Sequence, residues 1–330
     1  MQNAELLINN KRRIIIVITL IVLMIVAFIV SLINGSVEIT TLQILNVDII
    51  DETKRQILIN IRLPRSIVAI LVGINLSLSG AILQAVMKNP LADPHIIGIS
   101  SGAGLFGIFV MLVKSDADNL IIPAAFVGAM LAAFLIYVLA WKDGIKPIRV
   151  ILAGVAVSAF LGAGISAMLI FYSEKVHSAL IWMIGGLSAR SWNHVEIILP
   201  YTIVGLILSL LSARHLNILQ LGDEVASGLG LRVNLTRTIL TAIAALLASS
   251  AVCVVGLLGF VGLIIPHSAR LLIGSDYRFL IPSAALLGAS VLTISDTFAR
   301  TAFAPTELPV GILMAILGAP FFLYLLRKEL

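Results

Sequence analysis

Charged side chains are scarce in this chain of 330 residues. Asp, Glu, Lys and Arg make up 12% of the sequence, hydrophobic residues make up 60%, and the mean hydropathy is +1.11. Soluble domains carry about 25% charged residues. The apolar residues form long continuous runs instead of alternating with polar ones, which excludes the strand pattern of a membrane β-barrel. The composition therefore predicts an all-α integral membrane protein.

Residues and motifs of common catalytic sites are also missing. One cysteine, Cys253, lies inside an apolar run, so a disulfide framework is excluded. The sequence contains no GxxxxGK[ST] motif for nucleotide phosphates, no HExxH motif and no Cys/His cluster for a catalytic metal. We expect no catalytic residue, no metal and no cofactor. The net charge of +5 is attributed to membrane orientation and not to nucleic-acid binding.

Uncharged runs of roughly 20 residues, enough to cross a bilayer, recur along the chain. The run from Thr238 to Ile273 is too long for one crossing, because a helix of this length at 1.5 Å per residue reaches about 54 Å, against a hydrocarbon core of about 30 Å. We divide it near Gly256 and Gly259. A single domain over residues 1–330 then has ten spans: 14–37, 66–87, 96–113, 119–141, 150–173, 197–213, 238–256, 259–273, 279–295 and 308–326.

The distribution of Lys and Arg predicts how the ten spans are oriented. With both termini in the cytoplasm, 14 of the 22 Lys and Arg residues fall on the inner side, in agreement with the positive-inside rule. Lys11, Arg12 and Arg13 precede the first span, and Arg327 and Lys328 follow the last. We expect a multi-pass protein of the cell membrane without a cleavable signal peptide, because the first run is long enough to remain as a span.

The stretch 214–237, between the sixth and seventh spans, is mostly polar. Asp223 is placed to cap a helix, Glu224 puts negative charge in its first turn, and Gly230 supplies a left-handed stop. The pattern predicts a helix of about two turns outside the bilayer. Two interpretations stay open: a solvated loop with a helical turn, or a handle by which a soluble motor moves the membrane part.

Prolines mark the expected start of two spans. The second span is expected to begin at the break made by Pro64. Asp93 as cap, with Pro94 at the first helical position, is expected to open the third span. Residues 176–189, which include Trp182, are too few to span and suit a re-entrant or interfacial helix on the outer side.

Span five carries a small residue at every fourth position, which places these residues on one helix face. They are Gly154, Ser158, Gly162 and Ser166. Such a face permits either close packing of another helix, the more common use, or close approach of a ligand.

Three arginines on the predicted outer side are exceptions to the inside bias. Arg62 and Arg65 precede span two, and Arg300 is expected on another outer loop. Two roles stay open for them: local pairing with carboxylates, or a basic rim that orients an acidic partner. The local carboxylates are Asp48, Asp51 and Glu307.

Ionisable residues are almost absent from the spans. A buried charge costs about 2.5–3.5 kcal/mol on insertion scales, so secondary carriers keep one for ion or proton work. Asp296, at a span end, is the nearest candidate. The pattern favours an external energy source over the alternative, an ion-coupled secondary transporter. A membrane scaffold without transport activity is a third hypothesis.

Short motifs rich in Gly, Pro and small residues follow one another between Arg62 and Arg327. They are GAILQ (80–84), NPLADP (89–94), GISSGA (98–103), GFVGLIIPH (259–267) with Arg270, DTFAR (296–300), ELPVG (307–311) and GAPFF (318–322). In this order they resemble the permeases of ABC importers for iron-siderophores, haem and cobalamin. The resemblance covers nearly the whole chain.

The resemblance implies a fold and a set of partners. The fold would have ten transmembrane helices, short cytoplasmic coupling helices and a short outer re-entrant or interfacial helix. The partners would be a second permease subunit in a homodimer or heterodimer, two cytoplasmic ATPase subunits, an extracytoplasmic substrate-binding protein and the lipid bilayer. The implied activity is ATP-driven import of an iron(III)-siderophore, with haem or cobalamin as alternative substrates.

The resemblance also assigns a role to the stretch 214–237. In relatives of this kind, coupling helices in this loop sit in a groove of the ATPase. The corresponding residues are Gly222, Asp223, Glu224, Ala226, Leu229 and Gly230.

Two further roles follow from the same resemblance. Arginines that pair with glutamates of the binding protein correspond to Arg62, Arg65 and Arg300. The pathway at the dimer axis is lined mainly by span five, which implies Gly154, Ser158 and Gly162.

Overall fold

The computed structural model describes residues 10–35, 37, 39–41, 43, 51–95, 98–114, 116–142, 144 and 146–329. Within these ranges the chain is helical and contains no strand. The helices are α1 (Asn10–Ile33), α2 (Glu52–Val86), α3 (Ile99–Val113), α4 (Ile121–Ala140), α5 (Pro147–Phe171), α6 (Val176–Ile184), α7 (Trp192–Leu211), α8 (Ala213–Gln220), α9 (Asp223–Gly228), α10 (Val233–Val255), α11 (Val261–Ile273), α12 (Tyr277–Thr301) and α13 (Val310–Glu329).

Eight helices in the described ranges are long and apolar enough to cross a membrane. They are α1, α2, α4, α5, α7, α10, α12 and α13. The apolar helices α3 and α11 are shorter, with 15 and 13 residues. Together these ten helices follow the order of the ten predicted spans, and the all-helical class is confirmed.

Helix α2 lies at the centre of the bundle. It packs against α7, α10, α11 and α12. In the most apolar stretch of 18 residues, 83% of the α2 residues are buried, whereas only 17% are buried in the corresponding stretch of α1 at the periphery. Glycines allow the close crossings. A Cβ atom on Gly73 would lie 2.3 Å from the carbonyl oxygen of Gly288 in α12, and one on Gly80 would lie 1.9 Å from that of Gly262 in α11. Such backbone contact is typical of membrane helix packing, where apolar lipid gives no hydrophobic drive between helices.

Polar side chains join α2 to α10 inside the bundle. Asn75 donates from Nδ2 to Ser250 Oγ at 3.0 Å, and the Ser79 hydroxyl donates to the carbonyl oxygen of Ala244 at 2.7 Å. All four residues are buried, and Ala244 contributes only its backbone carbonyl. Interhelical hydrogen bonds of this kind contribute about 0.6–2 kcal/mol each in membranes.

The predicted break in the long run Thr238–Ile273 is observed, and its division into two membrane spans stays a prediction. Helix α10 ends at Val255, Gly256 follows with φ of 82°, and α11 begins at Val261. A Cβ atom on Gly256 would lie 2.1 Å from the carbonyl oxygen of Trp182, so the turn fits closely against α6. Glycine is required here by both the positive φ and the close approach.

The break predicted at Pro64 is absent, although the regular α-helix does begin there, with Leu63–Val86 α-helical and Pro64 in its first turn. The helix is continuous from Glu52 to Val86 and passes through Pro64. The preceding residues Ile57–Arg62 form a π-helical turn, in which the Leu63 amide bonds back to Leu58. The wider π turn changes the hydrogen-bond register, which relieves the conflict between a proline ring and the preceding turn of a regular α-helix.

The prediction that Asp93 and Pro94 open the third span is wrong. Helix α3 begins at Ile99, after Gly98 with φ of 97°. The Asp93 carboxylate instead accepts a hydrogen bond from the His95 amide at 2.7 Å, which closes a local turn. Aspartate makes such a turn as readily as a helix cap, because both use the same bond to a nearby backbone amide.

The short helix predicted within 176–189 is present as α6. It is held by its C-terminal end: the Trp182 carbonyl accepts from the Leu257 amide at 3.3 Å, and the Gly185 carbonyl accepts from the Gly311 amide at 3.1 Å. Its last turn therefore links the α10–α11 turn to the start of α13.

We predict that the α2–α12 crossing tolerates no added Cβ atom. Gly73→Ala should destabilise the folded chain by roughly 1–3 kcal/mol, because backbone atoms of α12 would have to move. Gly162→Ala is the matched control, since a Cβ atom there meets nothing within 4 Å. Thermal unfolding of the detergent-solubilised variants measures the difference, and equal midpoints for the two variants would contradict the close crossing.

Candidate functional site

Two short helices, α8 and α9, connect α7 to α10; we call residues 213–230 the coupling segment. Helix α8 follows α7 directly at Ser212. Its buried residues Ala213, Leu216 and Leu219 are spaced by three, so they share one face against the bundle. The sequence predicted one helix in this stretch, and the structure has two.

The ends of α9 agree with the prediction in part. Gly230 has φ of 84°, its amide bonds to Ser227, and the Leu231 amide bonds to Ala226. These two bonds form a Schellman motif, so the left-handed stop is confirmed. Asp223 is not the cap, because it is the first helical residue and its side chain makes no cap bond; Gly222 precedes it.

Asp223 instead binds two cations from other parts of the chain. Lys88, just beyond α2, donates from Nζ to its Oδ1 at 2.7 Å. Arg237 in α10 donates to both carboxylate oxygens at 2.8 Å. Partial burial alone would raise the pKa of Asp223, but the hydrogen bonds from Lys88 and Arg237 lower it below the ordinary value. The coupling segment is therefore tied to α2 and α10 by a shared carboxylate.

A second tie joins the coupling segment to α12. Asn217 in α8 donates from Nδ2 to Asp276 Oδ1 at 2.8 Å and accepts from the Tyr277 amide at 2.9 Å. Asp276 also binds Arg278 at 2.7 Å and Arg13 of α1 at 3.5 Å. Asn217 thus holds the N-terminal end of α12 through both its donor and its acceptor.

Asp276 carries charge throughout the physiological pH range. Hydrogen bonds from the Arg278 side chain, Asn217 and the Arg278 amide lower its pKa to about 2, against partial burial, which would raise it. A lowered carboxylate pKa contributes stability that is complete above the ordinary value of 3.8 and is lost as the pH falls through about 2. The tie between α8 and α12 therefore does not respond to pH near neutrality.

An exposed apolar patch lies on the coupling segment. Leu221, Val225 and Leu229, at intervals of four residues, are 58%, 51% and 61% exposed. Of these, the sequence had singled out only Leu229; the four-residue spacing was the signal available for the other two. Beside the patch is a groove of about 680 Å³, lined in part by Ser227 and Arg232. Exposed apolar side chains in an otherwise polar segment are typical of an interaction surface.

The other residues predicted in this segment differ in their exposure to solvent. Ala226 is buried, whereas Glu224 and Gly230 are exposed. Gly222 has φ of 107° and open space around its Cβ position, so its backbone conformation and not crowding requires glycine.

The opposite end of the bundle holds an arginine–carboxylate cluster. Arg65 donates from Nε and Nη2 to the two oxygens of Asp296 at 2.8 and 2.9 Å. It also donates from Nη1 to Glu307 at 2.8 Å, and Ser188 donates to the same oxygen at 3.1 Å. Burial alone would raise the pKa of Glu307, but the bond from Arg65 lowers it below the ordinary value. Local pairing of Arg65 with Glu307 is thus observed; Asp48 lies outside the described residues.

Arg62 and Arg300 bind backbone oxygens near the end of α1. Arg62 donates from Nη1 to the carbonyl oxygens of Leu32 and Ile33, each at 2.8 Å. Arg300 donates to the Ser31 hydroxyl at 3.1 Å and to the Ser31 carbonyl. The expectation of an outer loop for Arg300 is wrong, because α12 continues to Thr301. Both arginines are buried, and docking through them stays a prediction.

The small residues of α5 do not share one environment. A Cβ atom on Gly98 would lie 2.6 Å from Ser158 Oγ and 3.2 Å from the Gly154 carbonyl oxygen, so this part of α5 packs on the start of α3. Gly162, one turn further on, has nothing within 4 Å of its Cβ position. Helix packing accounts for Gly154 and Ser158, and a pathway role for all three stays a prediction.

Within the described ranges, no group of three His, Cys, Asp or Glu side chains is placed to hold a metal ion. The structure therefore offers two polar clusters at opposite ends of an apolar bundle, together with one exposed surface on the coupling segment.

Residues 23–328 match the model of the FecCD transport family. The chain belongs to the FecCD transport family. This match spans the coupling segment and both polar clusters apart from Arg13.

Named relatives of this FecCD chain are similar over most of its length. The iron(3+)-hydroxamate import system permease protein FhuG of Bacillus subtilis is 42% identical, covering 92% of this chain and 94% of the relative. The hemin transport system permease protein HmuU of Yersinia pestis is 40% identical over 82% and 83% of the two chains. The cobalamin import system permease protein BtuC of Halobacterium salinarum is 43% identical over 85% and 76%.

A solved structure has the same fold. It is an ABC transporter assigned to the metal-chelate type, in an inward-facing conformation, with a TM-score of 0.87 and 28% identity. The similarity covers 95% of this chain and 99% of the other. Family, relatives and apolar helices together make this FecCD chain a multi-pass membrane protein related to permease subunits of ABC importers.

We predict that Asn217 holds α8 against α12. Asn217→Ala removes one hydrogen bond to a charged acceptor and one from a backbone amide, a loss of about 1–2 kcal/mol in local stability. Hydrogen exchange of residues 213–220 should accelerate roughly fivefold to thirtyfold. His215→Ala, an exposed position on the same helix, is the control and should leave the exchange unchanged. Equal exchange in both variants would show that Asn217 holds nothing in place.

Proposed function

We propose that this chain is the membrane-spanning permease subunit of an ATP-driven importer and moves an iron(III)-siderophore delivered by an extracytoplasmic binding protein. The observation that carries the proposal is the coupling segment. It has a solvent-exposed apolar patch, and Asp223 and Asn217 tie it to α2, α10 and α12. A partner that moves this segment would move three helices of the bundle with it.

The proposed topology has ten crossings with both termini in the cytoplasm. The excess of Lys and Arg on the inner side supports it. So do the polar clusters: the pairs Arg13–Asp276 and Lys88–Asp223 join residues expected inside, and Arg65–Glu307 joins residues expected outside. With 13 residues α11 reaches about 20 Å, and the turn at 256–260 completes its crossing.

The proposed mechanism transmits motion through hydrogen-bonded contacts. ATP binding would close two cytoplasmic ATPase subunits, shift the coupling segment in its ATPase groove and switch the access of a permease dimer. Asp223 and Asn217 are the positioning residues in this chain. The bundle itself would supply a transient path for the substrate and would make or break no covalent bond.

A second permease subunit, identical or a sibling, completes the proposed pathway. Helix α5 would line it, with Gly162 on an open face and Gly154 and Ser158 held against α3. This helix leaves Leu152 and Phe160 exposed at 63% and 77%, and a second copy is one surface that would cover them.

The binding protein is proposed to dock at the end that carries Arg65. The side chain of Glu307 is 44% exposed, whereas those of Arg65 and Asp296 are 7% and 2% exposed. A glutamate of the binding protein would therefore reach Arg65 by displacing Glu307. Arg62 and Arg300 would act behind it, by adding positive potential.

The substrate is proposed to be an iron(III)-siderophore. The names of the relatives include iron(3+)-hydroxamate, Fe(3+)-citrate, hemin and cobalamin. Hydroxamate, citrate and siderophore systems outnumber hemin and cobalamin systems among them, which favours a siderophore over haem or cobalamin. An ion-coupled carrier has no comparable support, because Asp296 is already neutralised by Arg65.

We predict that the apolar patch is needed for the ATPase. The double variant Leu221→Ser, Leu229→Ser should weaken copurification of the ATPase by roughly tenfold or more, since each buried leucine contributes about 1.5–3 kcal/mol. Leu272→Ser, an exposed leucine at the same end, is the control. If the ATPase binds both variants as it binds the native chain, the patch is not its docking surface.

We predict that Glu307 competes with the binding protein for Arg65. Glu307→Gln should tighten docking about twofold to fivefold at low salt, and the gain should fade at high salt. Glu174→Gln, an exposed acid expected at the same end, is the control. Surface binding measurements in nanodiscs test this, and weaker docking of Glu307→Gln would exclude the exchange of partners.

A further inference from the structure

Two adjoining cavities lie where α3, α6, α7 and α10 meet, at the end of the bundle that carries Arg65. Their volumes are about 760 and 260 Å³. Both are lined by Met111, Ser178, Trp182 and Arg190. This site lies apart from the coupling segment and from the small-residue face of α5. The smaller cavity is also lined by Ser188, which binds Glu307, so it adjoins the Arg65 cluster, but the proposed function gives Arg190 no role.

Arg190 is the charged group that the two cavities share. It lies in the loop between α6 and α7, directly after Ala189, whose φ of 58° is unusual for a residue other than glycine. Its Nη1 lies 3.3 Å from His194 Nε2, and its Nε is buried without a hydrogen-bond partner. The backbone of this loop thus adopts an uncommon conformation that holds a guanidinium at the cavity wall.

Arg190 differs from the arginines described above. Arg65, Arg237 and Arg278 each bind a carboxylate, and Arg62 and Arg300 bind backbone oxygens at the end of α1. For Arg190, no carboxylate of the described chain lies within 4 Å. Burial and the nearby charge of Arg65 lower its pKa to about 10, so it is still a cation at neutral pH. A partly buried cation without a counter-charge is costly, and a bound anion would offset that cost.

The rest of the lining suits one negative charge. Lys175 is a second cation, Asp118 is one carboxylate, and Asn119, Asn193 and Ser178 supply amide and hydroxyl groups. With Arg190, the charges at the wall sum to +1. A phosphodiester or a carboxylate matches this charge, and both accept the paired hydrogen bonds that a guanidinium donates.

The cavity is closed toward the middle of the bundle. Ile122 and Ile197 line it, and one turn further along α4 and α7 the rings of Phe126 and Tyr201 meet at 5.1 Å between centroids. A ligand therefore enters from the helix-end side, where lipid headgroups and aqueous solutes are both available.

We propose that this cavity binds a single anionic group, a phosphate or a carboxylate, on a soluble anion or a lipid headgroup, with Arg190 as its principal ligand. The proposal does not depend on the transported substrate. It requires only that the anion sits beside Arg190 and Ser178.

A cysteine at position 178 reports on the cavity. Ser178 is exposed at the wall, and the single native cysteine is removed by Cys253→Ser. The full chain carrying Ser178→Cys is placed in nanodiscs of phosphatidylcholine and labelled with an anionic and a cationic methanethiosulfonate. Each rate is divided by the rate of the same reagent with a free thiol in solution. On this scale the anionic reagent should react at least about threefold faster than the cationic one, because the positive charge of Arg190 attracts it. Inorganic phosphate, or nanodiscs containing phosphatidylglycerol, should then slow that labelling.

The variants separate Arg190 from general surface charge. Arg190→Gln should abolish both the preference for the anionic reagent and the protection, and Arg190→Lys should keep part of each. Arg55→Gln removes an exposed arginine outside the cavity and should change neither.

Each outcome decides the proposal. Protection by inorganic phosphate supports a soluble anion, and protection by phosphatidylglycerol alone supports a lipid headgroup. Absence of protection by both overturns the proposal, as does protection that persists in Arg190→Gln. If Arg190→Gln fails to fold, the chain with native Arg190 still decides, because equal rates for the two reagents would also overturn it.

Discussion

The cost of charge in hydrocarbon is the constraint on which this structure depends. An unpaired charge in a membrane helix costs about 2.5–3.5 kcal/mol on insertion scales, and the ion pairs described above lie at the two ends of the bundle. Between them, α2 meets its neighbours through glycine backbone and neutral hydrogen bonds. In the part of the chain that the structure describes, no ion pair lies between these two ends. The parts that could respond to another protein are at the ends.

The end of the bundle that carries the coupling segment joins several helices through two side chains. Asp223 is shared by Lys88 after α2 and Arg237 in α10, and Asn217 holds Asp276 and Tyr277 at the start of α12. The short helices α8 and α9 are thus attached to the buried centre of the bundle at separate points. Such an attachment turns a displacement of a small surface segment into a displacement of long helices. It also explains why polar residues are retained in a chain that is otherwise poor in them.

Much of this could be predicted from the sequence, because apolar runs and glycine breaks act locally. The break at Gly256 and the stop at Gly230 are properties of a few neighbouring residues, and both are observed. Asp223 and Asp93 show the limit. Each was expected to cap a helix, but the first binds cations 14 and 135 positions away in the chain and the second closes a turn. The break predicted at Pro64 is absent for a related reason, since a π turn lets the helix continue through it.

Contacts between distant segments were beyond a single sequence. Neither Asn217 nor Arg190 has a local pattern that marks it: the first matters because α12 begins beside it, and the second because no carboxylate of the described residues lies within 4 Å of it. Arg62, Arg65 and Arg300 were found from their unusual side of the membrane, yet their burial against Asp296 and the end of α1 depends on the folded bundle.

The central claim is that separate ATPase subunits drive this chain. The most direct test is uptake of a ferric siderophore into proteoliposomes that contain the chain with its second permease, ATPase and binding protein. The account predicts uptake with hydrolysable ATP and none with a non-hydrolysable analogue, even under an imposed proton gradient. Uptake of equal rate driven by the gradient without hydrolysis would contradict it.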